Sequence, residues 1–328
     1  IESAYVNRGR AYYFLNNYAQ AIKDFDKAIE MNPAEKMAYE KRGYAHINLK
    51  NYTQAIKDFD KAIEMNPAIE SAYVNRGRAY YFLNNYTQAI KDFDKAIEMN
   101  PSMEPAYVSR GQAHRHLKNY IQAIKDFNKA IEMNPQIGWL YVMRGLAHID
   151  LRNYTQAIKD FNKAIEMNPT EKMAYENRGY AHLNINNYTQ AIKDFDKAIE
   201  INPKMGWAYV NRGYAYYFLK NYIQTIKDCD KAIELDPSMD SAYFRRGTAH
   251  LNLNNYTQAI KDFDKSIEIN DKNANTFYWR GIAYSMTNNK IQSTNDFRTA
   301  ANLGLELAKT RLNEEEDTVI NKIKKFLF

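Results

Sequence analysis

Nine arginines stand at one fixed interval: Arg8, Arg42, Arg76, Arg110, Arg144, Arg178, Arg212, Arg246 and Arg280, each followed by glycine. Nine aspartates keep step with them: Asp24, Asp58, Asp92, Asp126, Asp160, Asp194, Asp228, Asp262 and Asp296. A charge pair can shuttle protons, but nine copies of a pair fit a structural use better than a catalytic one. Both residue types fall on or beside faces that must pack, and a buried charge is expensive unless paired. The reading is a salt bridge that joins helices, within a copy or between neighbours. Its net worth is small, yet stripping one partner from a buried pair costs ~3–5 kcal/mol.

Other reactive side chains follow the same beat. His46, His114, His148, His182 and His250 take the place of Tyr12, one per copy. Metal ligands must converge at about 2 Å, whereas packed helices lie ~10 Å apart, so no metal is expected. Cys229 stands where other copies have phenylalanine, next to Thr225 in place of alanine. No base accompanies it, so it reads as core rather than nucleophile. No glycine-rich phosphate loop is present. The expectation is no active site, no cofactor and no enzyme.

The elements that position these residues repeat every 34 residues, and a period of that length means stacked supersecondary units. In the first copy Tyr5, Arg8, Gly9, Tyr12 and Leu15 make one stripe of a helix. Asn16-Asn17 ends it, since asparagine tolerates the left-handed conformation. Asn17 then caps a second helix, with Gln20 completing a capping box that recurs in all nine copies. Ala21, Phe25, Ala28 and Ile29 form the inner face of that helix, and Asn32-Pro33 stops it. Met31, Met65, Met99, Met133 and Met167 read as core between copies. Lys23, Asp26, Lys27 and Glu30 read as a solvated outer face.

The pattern Tyr5-x2-Arg8-Gly9-x2-Tyr12 with Ala21-x3-Phe25, Ala28 and Pro33 resembles the tetratricopeptide repeat (TPR) family over residues 2 to 307. Tyrosine replaces the family's usual tryptophan, and arginine its usual leucine. The resemblance implies an all-α fold: a right-handed superhelical solenoid of nine helix-turn-helix units at 1–307, with a C-terminal capping helix at 308–328. The ninth copy decays, as terminal repeats do: Asp271 and Leu305 replace prolines, and Lys290 a tyrosine. The first copy shows no such decay, and the chain opens mid-copy at Ile1, which suggests a piece of a longer array. In the tail, Glu314–Asp317 suit a helix N-terminus. Val319, Ile320, Ile323 and Leu327 form an apolar stripe that would cover the open end, in preference to a membrane or a partner.

A second stripe on the first helix of each copy is left over from packing. The resemblance implies that it lines a concave surface where partners bind. The expected contact residues are Asn7, Arg10, Tyr13 and Phe14; Asn75, Arg78, Tyr81 and Phe82; Arg115; Trp139; Asn177; Trp207, Asn211, Tyr214, Tyr217 and Phe218; and Phe244 and Arg245. Aromatic rings would anchor a protein or peptide segment, and asparagines would pair with its peptide groups. The competing reading is that rings of adjacent copies pack on one another and stiffen the array. Some TPR domains grip a C-terminal carboxylate through lysines, which this stripe lacks.

Charge composition excludes other classes. The net charge of +6 is spread over 45 basic and 39 acidic residues, which argues against a nucleic-acid surface. No run reaches the ~18 apolar residues of a membrane span. One cysteine permits no intrachain disulfide and fits a reducing, cytoplasmic setting. The reading is a protein-binding scaffold. Its alternatives are self-association into a larger assembly and service as the adaptor portion of a larger enzyme.

Overall fold

The structure is a computed structural model, and it describes residues 1–313. The chain divides into two compact halves, Ile1–Pro169 and Thr170–Phe328. The first contains α1 (Glu2–Phe14), α2 (Tyr18–Met31), α3 (Lys36–Asn48), α4 (Tyr52–Met65), α5 (Glu70–Phe82), α6 (Tyr86–Met99), α7 (Glu104–His116), α8 (Tyr120–Met133), α9 (Gly138–Asp150) and α10 (Tyr154–Met167). The second contains α11 (Lys172–Asn184), α12 (Tyr188–Ile201), α13 (Gly206–Phe218), α14 (Tyr222–Leu235), α15 (Asp240–Asn252), α16 (Tyr256–Ile269), α17 (Ala274–Met286) and α18 (Lys290–Asn302). A helical segment, 306–313, follows, with Ala308 buried. The described residues thus form an all-α solenoid of nine helix pairs. The rest of the expected capping helix, with its acidic and apolar residues, lies outside the described residues.

The turn inside each pair is set by one left-handed residue. Asn16 has φ 58°, and the equivalent position is left-handed in every pair, including where it is Lys50, Lys118, Arg152 or Lys220. At the first turn Asn16 N–H donates to the Tyr13 carbonyl and Asn17 N–H to that of Tyr12, each at 2.9 Å. These two bonds satisfy carbonyls that the helix end would orphan, and they offset the strain of a left-handed lysine or arginine. The capping box expected in all nine copies is only partly formed. The capping asparagine accepts from the glutamine backbone N–H at the start of α2, α6, α10, α12 and α14, but not of α4, α8, α16 or α18. In two pairs the glutamine side chain turns inward, Gln190 to Asp194 and Gln224 to Asp228, where a buried carboxylate is the better acceptor.

Within a pair the two helices meet at a glycine. A Cβ on Gly77 would sit 2.7 Å from Cε1 of Phe93, which is fully buried. Only glycine allows that approach, and eight of the nine pairs use the same glycine–phenylalanine contact. Between pairs the core is mostly alanine: Val6 and Ala28 close on Ala38, and Ala89 and Ala96 on Ala106 and Ala113. Small residues let successive pairs approach closely. In the first half α1 and α3, α3 and α5, α5 and α7, and α7 and α9 also touch directly; in the second half α11 and α13, α13 and α15, and α15 and α17 do. Even-numbered helices make no comparable contact with one another. The odd helices therefore form the crowded, inner side of each half. Two of the five methionines read as core depart from expectation: Met31 and Met65 are 44% and 37% exposed, whereas Met99, Met133 and Met167 are half-buried and Met133 packs against the core between pairs.

Candidate binding surfaces

Within each half the repeated charges form a lattice from pair to pair. Arg76 Nε and Nη2 hold both oxygens of Asp92, at 2.9 and 2.7 Å. Its third nitrogen, Nη1, donates to Asp60 of the preceding pair at 2.6 Å. The same fork recurs at Arg42, Arg110, Arg212, Arg246 and Arg280. Each arginine so joins three helices, and its planar fork is what lysine could not supply. Burial would lower the Arg76 pKa, but Asp92 and Asp60 outweigh it and hold the guanidinium firmly charged. Arg144 keeps the geometry with a neutral acceptor, Asn128, at 2.7 Å. The guanidinium also lies over the tyrosine three residues earlier, as Arg76 does over Tyr73 at 5.4 Å. The within-copy bridge was readable from sequence. Asp26, Asp60 and their equivalents, read as solvent-facing, are the half-exposed second partners that tie copies together.

The repeated histidines lie beside the lattice. His46, His148 and His250 bring Nε2 to 3.9–4.0 Å from Asp58, Asp160 and Asp262. Nδ1 of all five is buried without a partner. A second proton there would have no acceptor, and desolvation lowers the pKa of each imidazole despite the nearby aspartate. Among the described residues no group of histidine, cysteine or acid is arranged to hold a metal ion. Burial pushes the Cys229 thiol up to about 12, so it is inert as a nucleophile.

The inner stripe resolves into two clefts. In the first half a cavity of about 510 Å³ opens between α5 and α7, lined by Asn75, Arg78, Tyr81, Phe82, Val108 and Gln112 among others. Pro105 and Ser109 line it as well, where the neighbouring copies carry different side chains. In the second half a cavity of about 320 Å³ is walled by Tyr214, Tyr217 and Phe218 of α13, Phe244 and Arg245 of α15, and Trp279 of α17. Asn273 and Asn275 close its rim. Trp279 falls on the same stripe of the ninth copy, whereas the two rim asparagines were not among the expected contacts. They sit at the start of the following odd helix, and the signal for them is the stacking of one copy on the next.

The remaining expected residues are placed as follows. Trp139 and Trp207 start α9 and α13, are 41% and 58% exposed, and line neither cleft. Asn7, Arg10 and Phe14 are exposed on α1, with Tyr13 accepting from Asn48 Nδ2 at 3.1 Å. Arg115 is committed to Asp150. Asn75 and Asn177 each donate to the backbone of their own helix, to Ser71 and Met173. Asn75 Oδ1 also accepts from Arg78, so one N–H and one lone pair of its amide are engaged and one of each is left. Asn211 lies on α13 outside the cleft lining.

The two readings of the aromatic stripe both have a physical basis. Phe82 stacks on Tyr52 of the preceding pair at 4.9 Å, and Phe218 on Tyr188 at 4.7 Å. His116 takes the same place against Tyr86. Yet Phe82 and Phe218 stay 46% and 42% exposed, so one face of each ring is covered and the other is open.

Helix pairs of this geometry on a 34-residue period define a helical-repeat protein, and the sequence signature assigns the kind. Family models described as tetratricopeptide repeat match residues 6–68 and 142–205, and, as single copies, residues 71–103, 105–137, 206–239 and 241–273. The chain belongs to the tetratricopeptide repeat family. Proteins of this family are generally non-catalytic scaffolds that bind protein partners. Among solved structures, one from the APC/C hetero-tetramer Cut9-Hcn1 is similar at TM-score 0.60 and 18% identity. The match covers 81% of this chain but only 52% of that one. A tetratricopeptide repeat protein from Parabacteroides merdae matches at TM-score 0.61 and 19% identity, covering 76% of this chain and 98% of its own. The C-terminal part of one from Cytophaga hutchinsonii matches at 0.61 and 20%, covering 72% and 97%. At these identities the likeness is one of fold. No curated protein matches. No helix among the described residues is long and apolar enough to cross a membrane.

Proposed function

We propose that the protein is an interaction scaffold whose inner faces each take a segment of a protein partner. The first cleft, beside Phe82, offers polar walls for an extended backbone. The second, beside Phe218 and Trp279, offers aromatic walls for apolar side chains. The observation that carries this reading is the half-open state of the stacked rings: packing uses one face of Phe82 and Phe218 and leaves the other to water. Aromatic surface in that state is a common anchor in protein interfaces. No catalytic role is assigned to any residue.

The test is capture of partners on the immobilised chain beside a Tyr217→Ala/Phe218→Ala double variant. A protein retained by the parent and lost by the variant, with helix content unchanged by circular dichroism, supports the reading. Equal retention by both moves binding off the inner face of the second half.

A further inference from the structure

Each arginine that precedes a repeat glycine meets an aspartate, but Arg245, next to Arg246 on α15, does not. No carboxylate among the described residues reaches it within ion-pairing distance, and its Nε is buried with no hydrogen-bond partner. Its guanidinium carbon lies 3.4 Å from the centroid of the Tyr214 ring, on the wall of the second cleft. The cleft lining contains no acidic residue; its polar members are tyrosine, threonine and asparagine. Burial pushes the Arg245 pKa below the ordinary arginine value, yet a guanidinium stays charged at neutral pH.

The setting differs from that of the other pairs. In this pair Cys229 stands where its neighbours have phenylalanine, and Gly213 lacks the close aromatic contact that the other eight repeat glycines make. Tyr214, next to Gly213, carries a guanidinium on its face. Stacking gives Arg245 a cation–π contact but leaves its Nε donor without a partner. A charge held among rings without a counter-ion lowers stability.

We propose that the Arg245 recess binds the carboxylate of an acidic side chain inside a partner segment, flanked by an apolar residue that lies on Phe218 or Trp279. This rests on the groove reading above and adds its chemistry. A single guanidinium with no second cation in the lining suits a monoanion rather than a phosphate group. Aromatic walls on both sides of Arg245 suit a residue with neighbours before and after it.

The test is selection of random heptapeptides on the full chain and on Arg245→Met, which keeps an apolar stem. The peptides are displayed on phage through their C-termini, so none carries a free terminal carboxylate. The parent should enrich Asp or Glu at one position beside an apolar residue, and the variant should lose that preference. In a synthetic peptide, replacing the selected Glu with Gln should weaken binding about tenfold or more on the parent and leave the variant unmoved. Peptides enriched without an acid, yet lost on Tyr217→Ala/Phe218→Ala, overturn the carboxylate site and leave the groove standing. No enrichment over an unrelated protein overturns both. Thermal melting is an independent check. Arg245→Met should melt at or above the parent. A clear drop would make Arg245 packing material beside Cys229 and overturn the proposal.

Discussion

Residues 1–18 and 69–86 are the same eighteen amino acids, and they form the same helix, α1 and α5, with the same turn after it. Their surroundings differ. Phe14 and Leu15 are 75% and 74% exposed, whereas Phe82 and Leu83 are 46% and 45%. The Arg8 side chain is 57% exposed and the Arg76 side chain 16%. Everything made within the pair is common to both: the bidentate hold on Asp24 or Asp92, and the glycine pressed against Phe25 or Phe93. Everything contributed by α4 belongs to α5 alone: the Asp60 bond to Arg76 and the Tyr52 ring on Phe82. The repeat encodes a pair, and the neighbour turns that pair into a buried one.

The largest expected effect tests that division directly. Asp92→Ala leaves the covered Arg76 guanidinium with one partner, at a cost of about 3 kcal/mol. Asp24→Ala makes the same change where water reaches Arg8, so the loss should be clearly smaller. Amide hydrogen exchange in α6 and α2 reads the two pairs separately, which a single melting curve of a repeat array does not. Equal losses would mean that the neighbour adds nothing.

The next test should show no difference. Gly9→Ala and Gly77→Ala each push a methyl to within 2.7 Å of a phenylalanine ring, a contact made inside the pair. Both should cost about 1–3 kcal/mol. Gly213→Ala should cost less, because the nearest atom to the new carbon is Asp228 Cβ at 3.3 Å, and Cys229 Sγ lies at 3.7 Å. Urea unfolding of the three variants orders them, and a Gly213→Ala loss as large as the others would contradict the close-contact account.

A smaller effect is expected at the link between pairs. Asp60→Asn keeps an acceptor for Arg76 Nη1, as Asn128 does for Arg144. Asp60 is half exposed, so the loss should stay below about 1 kcal/mol and shrink further in salt.

What the sequence made legible follows the same division. The helices, the left-handed turn and the Arg–Asp bridge are properties of one copy, and nine copies displayed them as a period. Asp26 is exposed as expected, but its bond was not foreseen because its partner, Arg42, belongs to the next copy, and nothing in one 34-residue stretch shows where the next will lie. The cleft at Arg245 was legible only in part for the same reason. Tyr214, Phe244, Arg245 and Trp279 could be assigned to one stripe, but Asn273 and Asn275 join them from the start of the following pair. Asn75 was expected to offer its amide to a ligand, and its own helix carbonyl takes one of the two N–H donors. That competition is local, but a linear sequence does not display it.

The smallest expected effect is set by acid, and it again separates copies. α1 and α5 carry Tyr12 and Tyr80 where α3, α7, α9, α11 and α15 carry histidine. Desolvation lowers the folded-state pKa of His46 below its usual 6.5, with Arg42 reinforcing this and Asp58 and Asp26 opposing it. The unfolded chain then binds more protons than the folded one just below pH 6.5. The contribution of His46 is therefore complete above that value and is lost as the pH falls through the lower, folded-state pKa. Exchange in α4, which packs against His46, should quicken over that interval, whereas exchange in α6, opposite Tyr80, should not change through this cause. His46→Tyr should abolish the acid sensitivity of α4 while leaving its neutral-pH protection in place, because tyrosine already fills that position in the third copy. Acid sensitivity that persisted in the variant would assign the effect to the aspartates of the lattice instead.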